Sequence, residues 1–464
     1  MKLGELLGSD LDVGQFGELE ISTVEIDSRR CVAGSLFFAV SGGSLEGATF
    51  VDDAIARGAV AVIAERELVA SIPQWSVSES DIHDLLVRAS ARIVGHPERS
   101  LTLVGVTGTN GKTSVTTMLA ALWRAVGHAG EAIGTLTHER TTPASPELFR
   151  ELARIERSAV GRSEPLVALE VSSHALTQRR VDGLSFDVAI FTNLSHDHLD
   201  YHGTFEEYFE AKASLFTPQR ARRAVIWADD EYGRRLLDEV EVPTVAVRRE
   251  EARDVHYEIG STQFIWRDQQ VRVPLSGEFN LDNILLVLAA AVVLGVSPTR
   301  AASAVSQVAP VPGRFEIVRR ESPTVIVDYA HTPDGLERLL GDVRSLLPSS
   351  RCVLVFGCGG DRDRTKRPMM GEVATRLADE TILTSDNPRT EDPDLIINEI
   401  ANGCASNSSW RRIRDRREAI RDALANAGAN DVVIIAGKGH ETTQTIGSTV
   451  IGFDDRLVAK EFLK

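Results

Sequence analysis

Residues 104–114 read Val-Gly-Val-Thr-Gly-Thr-Asn-Gly-Lys-Thr-Ser, with an apolar run before them at 101–106 and helix formers after them at 116–125. The order is strand, glycine loop, helix. Such a loop aims backbone N–H groups and a helix N-terminus at an anion, while Lys112 adds a point charge and Thr113 offers a hydroxyl to Mg²⁺. The stretch therefore reads as a nucleoside triphosphate site. The general phosphate-loop pattern wants a glycine five positions before Gly111, where this chain has Val106, so the fit lies in the Gly111-Lys112-Thr113 end.

Around this loop the chain divides into three parts. Residues 1–97 read as a small α/β domain: the polar turn Ile26-Asp27-Ser28-Arg29-Arg30 leads into a strand at 34–40, followed by a helix at 52–57 and a strand at 59–63. On these residues alone Ser28 and Arg29 are equally a solvated turn. His96-Pro97 closes a helix and marks a linker. Residues 98–312 alternate strand and helix, which implies a parallel sheet covered on both faces, with the phosphate loop at the carboxyl ends of its strands. A second strand at 166–171 ends in Glu170-Val171-Ser172-Ser173-His174. A third at 187–191 runs into Thr192-Asn193-Leu194-Ser195-His196-Asp197-His198. Both deliver polar side chains to the edge that carries the loop. Mg²⁺ takes hard oxygen ligands, so Glu170 is the carboxylate expected beside it. His196, His198 and His202 are either ligands or satisfied structural histidines. An amphipathic helix at 204–216 carries Lys212 on its last turns, where taken alone it reads as a surface lysine.

The segment 257–275 alternates apolar and polar residues and reads as a β-rich edge. A helix is expected at 284–294. Asn280 and Asn283, three apart at its start, could both turn their amides to one side and read the edge of a base, or one could cap the helix. The last part, residues 313–464, repeats the pattern of strand followed by polar loop. A strand at 324–327 leads into Asp328-Tyr329-Ala330-His331-Thr332-Pro333, and one at 352–356 into Gly357-Cys358-Gly359-Gly360-Asp361-Arg362. Two more end in Ser385-Asp386-Asn387-Pro388-Arg389 and Ala436-Gly437-Lys438-Gly439-His440-Glu441. This is a doubly wound domain with its polar loops at the strand ends.

Composition removes several classes. At 464 residues the chain holds more than one core, and a net charge of −16 argues against a general nucleic-acid binder. The four cysteines show no CxxC pair or zinc spacing, which suits a reduced, cytoplasmic protein. The first ten residues lack the pattern of a secretory signal, and the most apolar window, 285–296, is too short to cross a bilayer. A triphosphate site with polar loops on a further domain leaves kinase, ATPase or ligase. Arg389, Asp386, Asn387 and Glu441 offer both signs of charge, which suits a substrate bearing an amine and a carboxylate and points to ligation.

Thr107-Gly108-Thr109-Asn110-Gly111-Lys112-Thr113, Glu170-Val171-Ser172-Ser173-His174, Asp197-His198-Leu199-Asp200-Tyr201-His202 and Asp328-Tyr329-Ala330-His331-Thr332-Pro333 resemble the signatures of the Mur ligases, which build the peptide of peptidoglycan precursors. The resemblance runs from Asp27 to Arg456. It implies an α/β protein of three domains: a small UDP-sugar-binding domain (1–97), a central P-loop ATPase domain with a parallel sheet (98–312) and a C-terminal, Rossmann-like, amino-acid-binding domain (313–464). It implies ATP bound by Gly108, Thr109, Asn110, Gly111, Lys112, Thr113, Ser114, Asn280, Asn283, Arg314 and Asp328. Mg²⁺ would sit on Thr113, Glu170 and His198, and Lys212 matches a lysine that the family carbamylates, against its surface reading. Ser28, Thr141, Thr142, Ser172 and Arg180 would hold the UDP-muramoyl peptide.

The resemblance also implies the amine. Asp386-Asn387-Pro388-Arg389 matches the form of this loop associated with meso-diaminopimelate rather than L-lysine, with Arg362, Gly437 and Glu441 as further contacts. Diaminopimelate carries a second carboxylate, which a guanidinium grips bidentately. The implied reaction is ATP-dependent amide formation on UDP-N-acetylmuramoyl-L-alanyl-D-glutamate through an acyl phosphate, by a cytoplasmic monomer without nucleic-acid or membrane partners. A lysine-adding ligase is the nearest alternative and a non-catalytic nucleotide-binding homologue a more distant one. The chain departs from the family at residues 43–50, where an aspartate-glycine-histidine run is usual, and in a short connection from Gly134 to Thr141.

Overall fold

The computed structural model describes residues 1–42, 46–159, 161 and 164–463. Strands β1 (Thr23–Glu25), β2 (Ser35–Ala39), β3 (Ala59–Ala64) and β4 (Gln74–Ser76) form a four-stranded parallel sheet in chain order. Helix Glu79–Ile93 closes one face of it. Ser78 caps its N-terminus by accepting from the Asp81 amide, and Ile82, Leu85, Leu86 and Ala89, spaced at three and four, turn into the core.

The next sheet holds the phosphate loop. Its strands are β5 (Thr102–Thr107), β6 (Gly130–Ile133), β7 (Leu166–Glu170), β8 (Val188–Phe191), β9 (Ala224–Trp227) and β10 (Thr244–Val247), all parallel, in the order β10-β9-β8-β5-β7-β6. After β5 the chain crosses to the edge strand β6, returns to β7 beside β5, and then steps outward through β8, β9 and β10 on the other side, so a crevice opens at the carboxyl end of β5, between β7 and β8, where such sheets bind ligands. Helix Lys112–Ala125 buries Val115, Met118, Leu119 and Leu122 against this sheet and against helix Glu278–Val293. The latter is apolar nearly all round and correspondingly enclosed. Each such side chain contributes about 1.5–3 kcal/mol by leaving water.

Helix Glu278–Val293 starts six residues earlier than the sequence suggests. Gly277, at φ +93°, forms the turn, and Asn280 and Asn283 lie inside the helix as buried side chains rather than before it. The β-rich edge is a separate antiparallel sheet of β11 (Ala252–Glu258), β12 (Ser261–Trp266) and β13 (Gln269–Val273).

The last sheet consists of β14 (Glu316–Arg319), β15 (Thr324–Asp328), β16 (Cys352–Phe356), β17 (Glu380–Leu383), β18 (Trp410–Arg412) and β19 (Val432–Ala436) in the order β14-β15-β19-β16-β17-β18; only β14 is antiparallel. The edge strands β14 and β18 and a terminal hairpin, β20 (Thr443–Ile446) with β21 (Thr449–Gly452), are short and polar and carried no clear signal in the sequence. The chain forms an α/β assembly of three sheet-centred parts, and no helix among the described residues is long and apolar enough to cross a membrane. The four cysteines are free; burial pushes the Cys352 and Cys358 thiols up to about 12, so they are inert packing residues.

One contact between the second and last parts titrates near neutrality. Asp342, on helix Pro333–Leu346, lies against the start of helix Glu278–Val293. Burial pushes its carboxyl from 3.8 up to about 7, with the Glu278 and Phe279 amides opposing and the Glu278 and Asp282 charges adding to the rise. A native value above the unfolded one means that the folded chain binds this proton more tightly. The associated stability is complete below about pH 4 and is lost as pH rises through about 7. Asp342→Asn is therefore expected to stabilise the protein at pH 8, by on the order of 2–4 kcal/mol, and to leave it unchanged at pH 4. Chemical denaturation of both proteins across that range measures the difference.

Candidate active site

The glycine loop is built by what surrounds it. At Gly108, φ is +146° and a Cβ would fall 1.9 Å from Thr192 Oγ1; at Gly111, φ is +88° and a Cβ would fall 2.5 Å from Asn283 Oδ1. Only glycine lets the chain pass between the end of β8 and the long helix. Asn193 then pins the loop: its carbonyl accepts from the Thr109 amide at 2.9 Å and its Oδ1 from the Asn110 amide at 3.0 Å.

Two lysines converge on the same carbonyl. Lys112 Nζ donates to the Gly108 and Thr109 oxygens at 2.8 and 2.9 Å, and Lys212 Nζ donates to Gly108 O at 2.9 Å. Lys212 is 1% exposed, which overturns its reading as a surface residue. Burial drives both ammonium groups below the ordinary lysine range; Glu170 and Asp197 oppose this at Lys112, whereas the charge of Lys112 adds to it at Lys212.

Glu170, at the end of β7, is enclosed. Its Oε1 accepts from the Thr135 amide at 2.9 Å and its Oε2 from the Thr113 hydroxyl at 3.1 Å, and a Cβ at Gly134 would fall 2.0 Å from it. Burial raises its pKa, against the pull of Lys112 and Arg314. Arg314 reaches in from beyond the long helix, donating to Thr113 Oγ1 at 2.9 Å and stacking its guanidinium 4.1 Å from the Tyr329 ring centre.

The three histidines go three ways. His198 lines the cavity with its Nε2 3.3 Å from Asp197 Oδ2, and burial lowers it to about 3 against the attraction of Asp197, leaving a neutral imidazole. His202 bonds Ser173 Oγ in the core at 2.9 Å, and His196 reaches Asp363 of the last part at 3.1 Å. Thr113, Glu170 and His198 form a hard, oxygen-rich set suited to Mg²⁺, which keeps most of its waters and needs few protein ligands. Among the described residues no three His, Cys, Asp or Glu side chains are grouped so as to hold a metal ion by themselves.

These groups border a cavity of about 410 Å³ whose opposite wall comes from the last sheet. Asp328, at the end of β15, accepts from the Phe315 and Ala330 amides at 2.6 and 2.7 Å. Arg362, Asp386, Asn387, Arg389, Gly437 and Glu441 all reach the cavity from the ends of β16, β17 and β19. Arg389 lies beside Arg362; burial, then that like charge, lowers its pKa. Two neighbouring guanidinium groups at one end of a cavity make an anion site.

Not every predicted residue arrives there. Asn280 spends its amide on the Ser276 carbonyl at 2.7 Å and stays out of the cavity, so Asn283 alone reaches the loop; Pro388 also stays outside. Thr141 lines the cavity, whereas Thr142, Ser172 and Arg180 cluster just behind it, with Arg180 Nη1 donating to Thr142 O at 2.9 Å and the Ser172 amide donating to Thr142 Oγ1 at 3.1 Å. Ser28 is buried in the first part, beside an Arg29 that folds back onto Asp27 at 2.7 Å. Of the divergent segment, Gly43, Ser44 and Leu45 lie outside the described residues.

Two residues escaped the sequence reading. Asp197 pairs with Lys366 at 3.4 Å across the two sheets, and Lys438 is wholly enclosed behind Asn387 and Glu441. Their positions within the motifs were visible, but Lys366 lies 169 residues from Asp197 and Asn387 lies 51 from Lys438 in the chain.

Comparison with known proteins gives three domain matches: the Mur ligase family, catalytic domain over residues 20–104, the Mur ligase middle domain over 106–291, and the Mur ligase, glutamate ligase domain over 313–439. A UDP-N-acetylmuramoyl-L-alanyl-D-glutamate--2,6-diaminopimelate ligase of Geobacillus kaustophilus (strain HTA426) is 44% identical, with 97% of this chain and 96% of that one covered. One from Synechococcus elongatus (strain ATCC 33912 / PCC 7942 / FACHB-805) is 43% identical over 96% and 94%. A solved structure of a protein with the same name superposes with a TM-score of 0.66 at 32% identity, covering 100% of this chain and 98% of that one. A MurF ligase from Thermotoga maritima in complex with ADP, 21% identical over 91% and 95%, shares the fold with a TM-score of 0.66.

Proposed function

The chain belongs to the Mur ligase family, and on that premise we propose that it joins meso-diaminopimelate to UDP-N-acetylmuramoyl-L-alanyl-D-glutamate with cleavage of ATP. It is an ATP-dependent ligase. The observation that carries the choice of amine is the paired Arg362 and Arg389 at the end of the cavity opposite the glycine loop. Relatives of 43–44% identity bearing the diaminopimelate ligase name support the same reading.

ATP phosphates lie along residues 108–114, with Lys112 turning from the loop carbonyls to the β- and γ-phosphates. Asn283, beside Gly111, Arg314, beside Thr113, and Asp328 contact the nucleotide next to the loop, to which Asn280 contributes by holding the helix start. Thr113, Glu170 and His198 would hold Mg²⁺, which when bound would supply positive charge to neutralise the phosphates. Thr141, Thr142, Ser172 and Arg180 direct the muramoyl peptide inward from Ser28 and the first sheet. Its γ-carboxylate attacks the γ-phosphorus and forms an acyl phosphate with release of ADP. With Arg389 and Arg362 on the distal carboxylate of diaminopimelate and Glu441 on its distal ammonium, the free amine at the other end attacks the acyl carbon; phosphate leaves and the amine loses a proton. Packing of the last sheet over the loop keeps water from the acyl phosphate.

The burial of Lys212 supports its carbamylation. Carbamate formation needs the neutral amine, and burial beside Lys112 favours that form. The resulting anion would replace a like-charge contact with an attractive one. Synthesis of a small-molecule precursor fits a cytoplasmic enzyme; we take the working unit as a monomer.

The test is phosphate release by the purified protein with ATP, Mg²⁺ and the UDP-muramoyl dipeptide, with meso-diaminopimelate, L-lysine or no amine. Release with diaminopimelate alone is expected. Release with lysine alone would keep the ligase and discard the specificity; chelation of Mg²⁺ should stop the reaction in every case.

A further inference from the structure

Lys438 has no part in the chemistry above, yet its side chain is 0% exposed at the rim of the amino-acid end of the cavity. It follows β19, between Gly437, where a Cβ would fall 2.6 Å from Asp386 Oδ2, and Gly439, whose φ is +54°. Its Nζ donates to Glu441 Oε2 at 3.0 Å, to the Thr443 carbonyl at 2.7 Å and to Asn387 Oδ1 at 3.3 Å. An ammonium has three N–H groups, so none remains for a ligand.

The consequences fall on its neighbours. Asn387 Oδ1 also accepts from the Thr445 amide at 3.0 Å, so two donors face that oxygen. The amide nitrogen must then turn to Glu441, donating to Oε2 at 2.7 Å. Both bonds to Glu441 end on one carboxylate oxygen, leaving Oε1 to the cavity that Glu441 lines. Asp386 Oδ1 lies 3.8 Å from the same Nζ, so the cation also offsets the repulsion between two neighbouring carboxylates. A buried cation is a costly way to fill space, and an apolar side chain would pack there at lower cost.

We propose that Lys438 is a positioning residue for the amino-acid substrate: it fixes the Asn387 amide and the Glu441 carboxylate so that Glu441 Oε1 is presented to the substrate ammonium. The proposal rests on the reading of this end of the cavity as the amino-acid site. Lys438 acts through Asn387 and Glu441, without touching substrate.

Lys438→Met retains the length of the stem and removes the charge. Its KM for diaminopimelate is expected to rise about 30- to 100-fold, the scale of a misplacement near 1 Å. The KM values for ATP and for the UDP-muramoyl dipeptide should stay within about twofold of the wild type. A crystal structure of the variant should show the Asn387–Glu441 bond broken. An unchanged KM for diaminopimelate, or an equal rise for all three substrates, would overturn the proposal. Should Lys438→Met fail to fold, the neutralised pair Lys438→Met/Glu441→Gln takes its place. Its KM for diaminopimelate should equal that of Glu441→Gln alone, and a further loss on top of that variant counts against coupling. Wild-type protein that is inactive with diaminopimelate would refute the substrate reading instead. In that case the variant's crystal structure still decides the proposal, since Asn387 and Glu441 unmoved without the cation would refute it.

Discussion

Lys112→Ala is expected to lower amine-dependent phosphate release at least about a thousandfold while leaving the protein folded. The ammonium is the only side-chain cation on the glycine loop itself, and it lies within reach of both the loop carbonyls and Glu170. Phosphoryl transfer depends on positioned charge more than on covalent chemistry, so losing this cation removes stabilisation that forms only as charge develops on the phosphate. The fold has less to lose. Lys212 Nζ also donates to Gly108 O, so that carbonyl keeps a donor when Lys112 is removed. Steady-state kinetics beside a thermal melt separate the two effects. Near-normal turnover would refute the nucleotide assignment, and loss of folding would mark Lys112 as structural.

The second large effect is at Arg389. Arg389→Ala should lower kcat/KM for meso-diaminopimelate about 30- to 1000-fold, the range for removing one charged partner of a carboxylate. The KM for ATP should be unaffected, because the glycine loop forms the other wall. Selectivity over L-lysine should fall with it, since lysine has no second carboxylate to lose contact with. Arg389 sits at φ +51°, a strained position for any residue with a side chain. Alanine bears a similar strain, so the substitution tests the guanidinium rather than the backbone. Arg389→Lys should recover only part of the loss, because a point charge cannot grip a carboxylate as a fork does. Unchanged kinetics with diaminopimelate would sink the specificity argument.

What the sequence disclosed followed from local chemistry. The glycine loop, Glu170 after its strand and the polar ends of β15, β16, β17 and β19 were legible because each strand is a short apolar run ending at glycine or a polar cluster. Periodicity and turn residues are encoded within a few positions. Burial is not. Lys212 lies on a helix that carries Glu206, Glu207 and Glu210 ahead of it, and only the packing of that helix beneath the glycine loop makes it an interior residue. The start of helix Glu278–Val293 was misplaced because asparagine usually signals a cap, whereas here Asn280 bonds back to Ser276 from inside the helix. The interdomain pair Asp197–Lys366 and the enclosure of Lys438 depend on how distant loops meet, which a single sequence carries no periodic trace of.

The most direct measurement follows oxygen. With the D-glutamate γ-carboxylate of the UDP-muramoyl dipeptide labelled with ¹⁸O, turnover with ATP and meso-diaminopimelate is predicted to place one labelled oxygen in each phosphate released, with one amide formed per phosphate. Labelled phosphate in that ratio is what attack by the carboxylate on the γ-phosphorus requires. Unlabelled phosphate, or phosphate formed without amide, would contradict the account of this cavity as a site that couples ATP cleavage to amide formation.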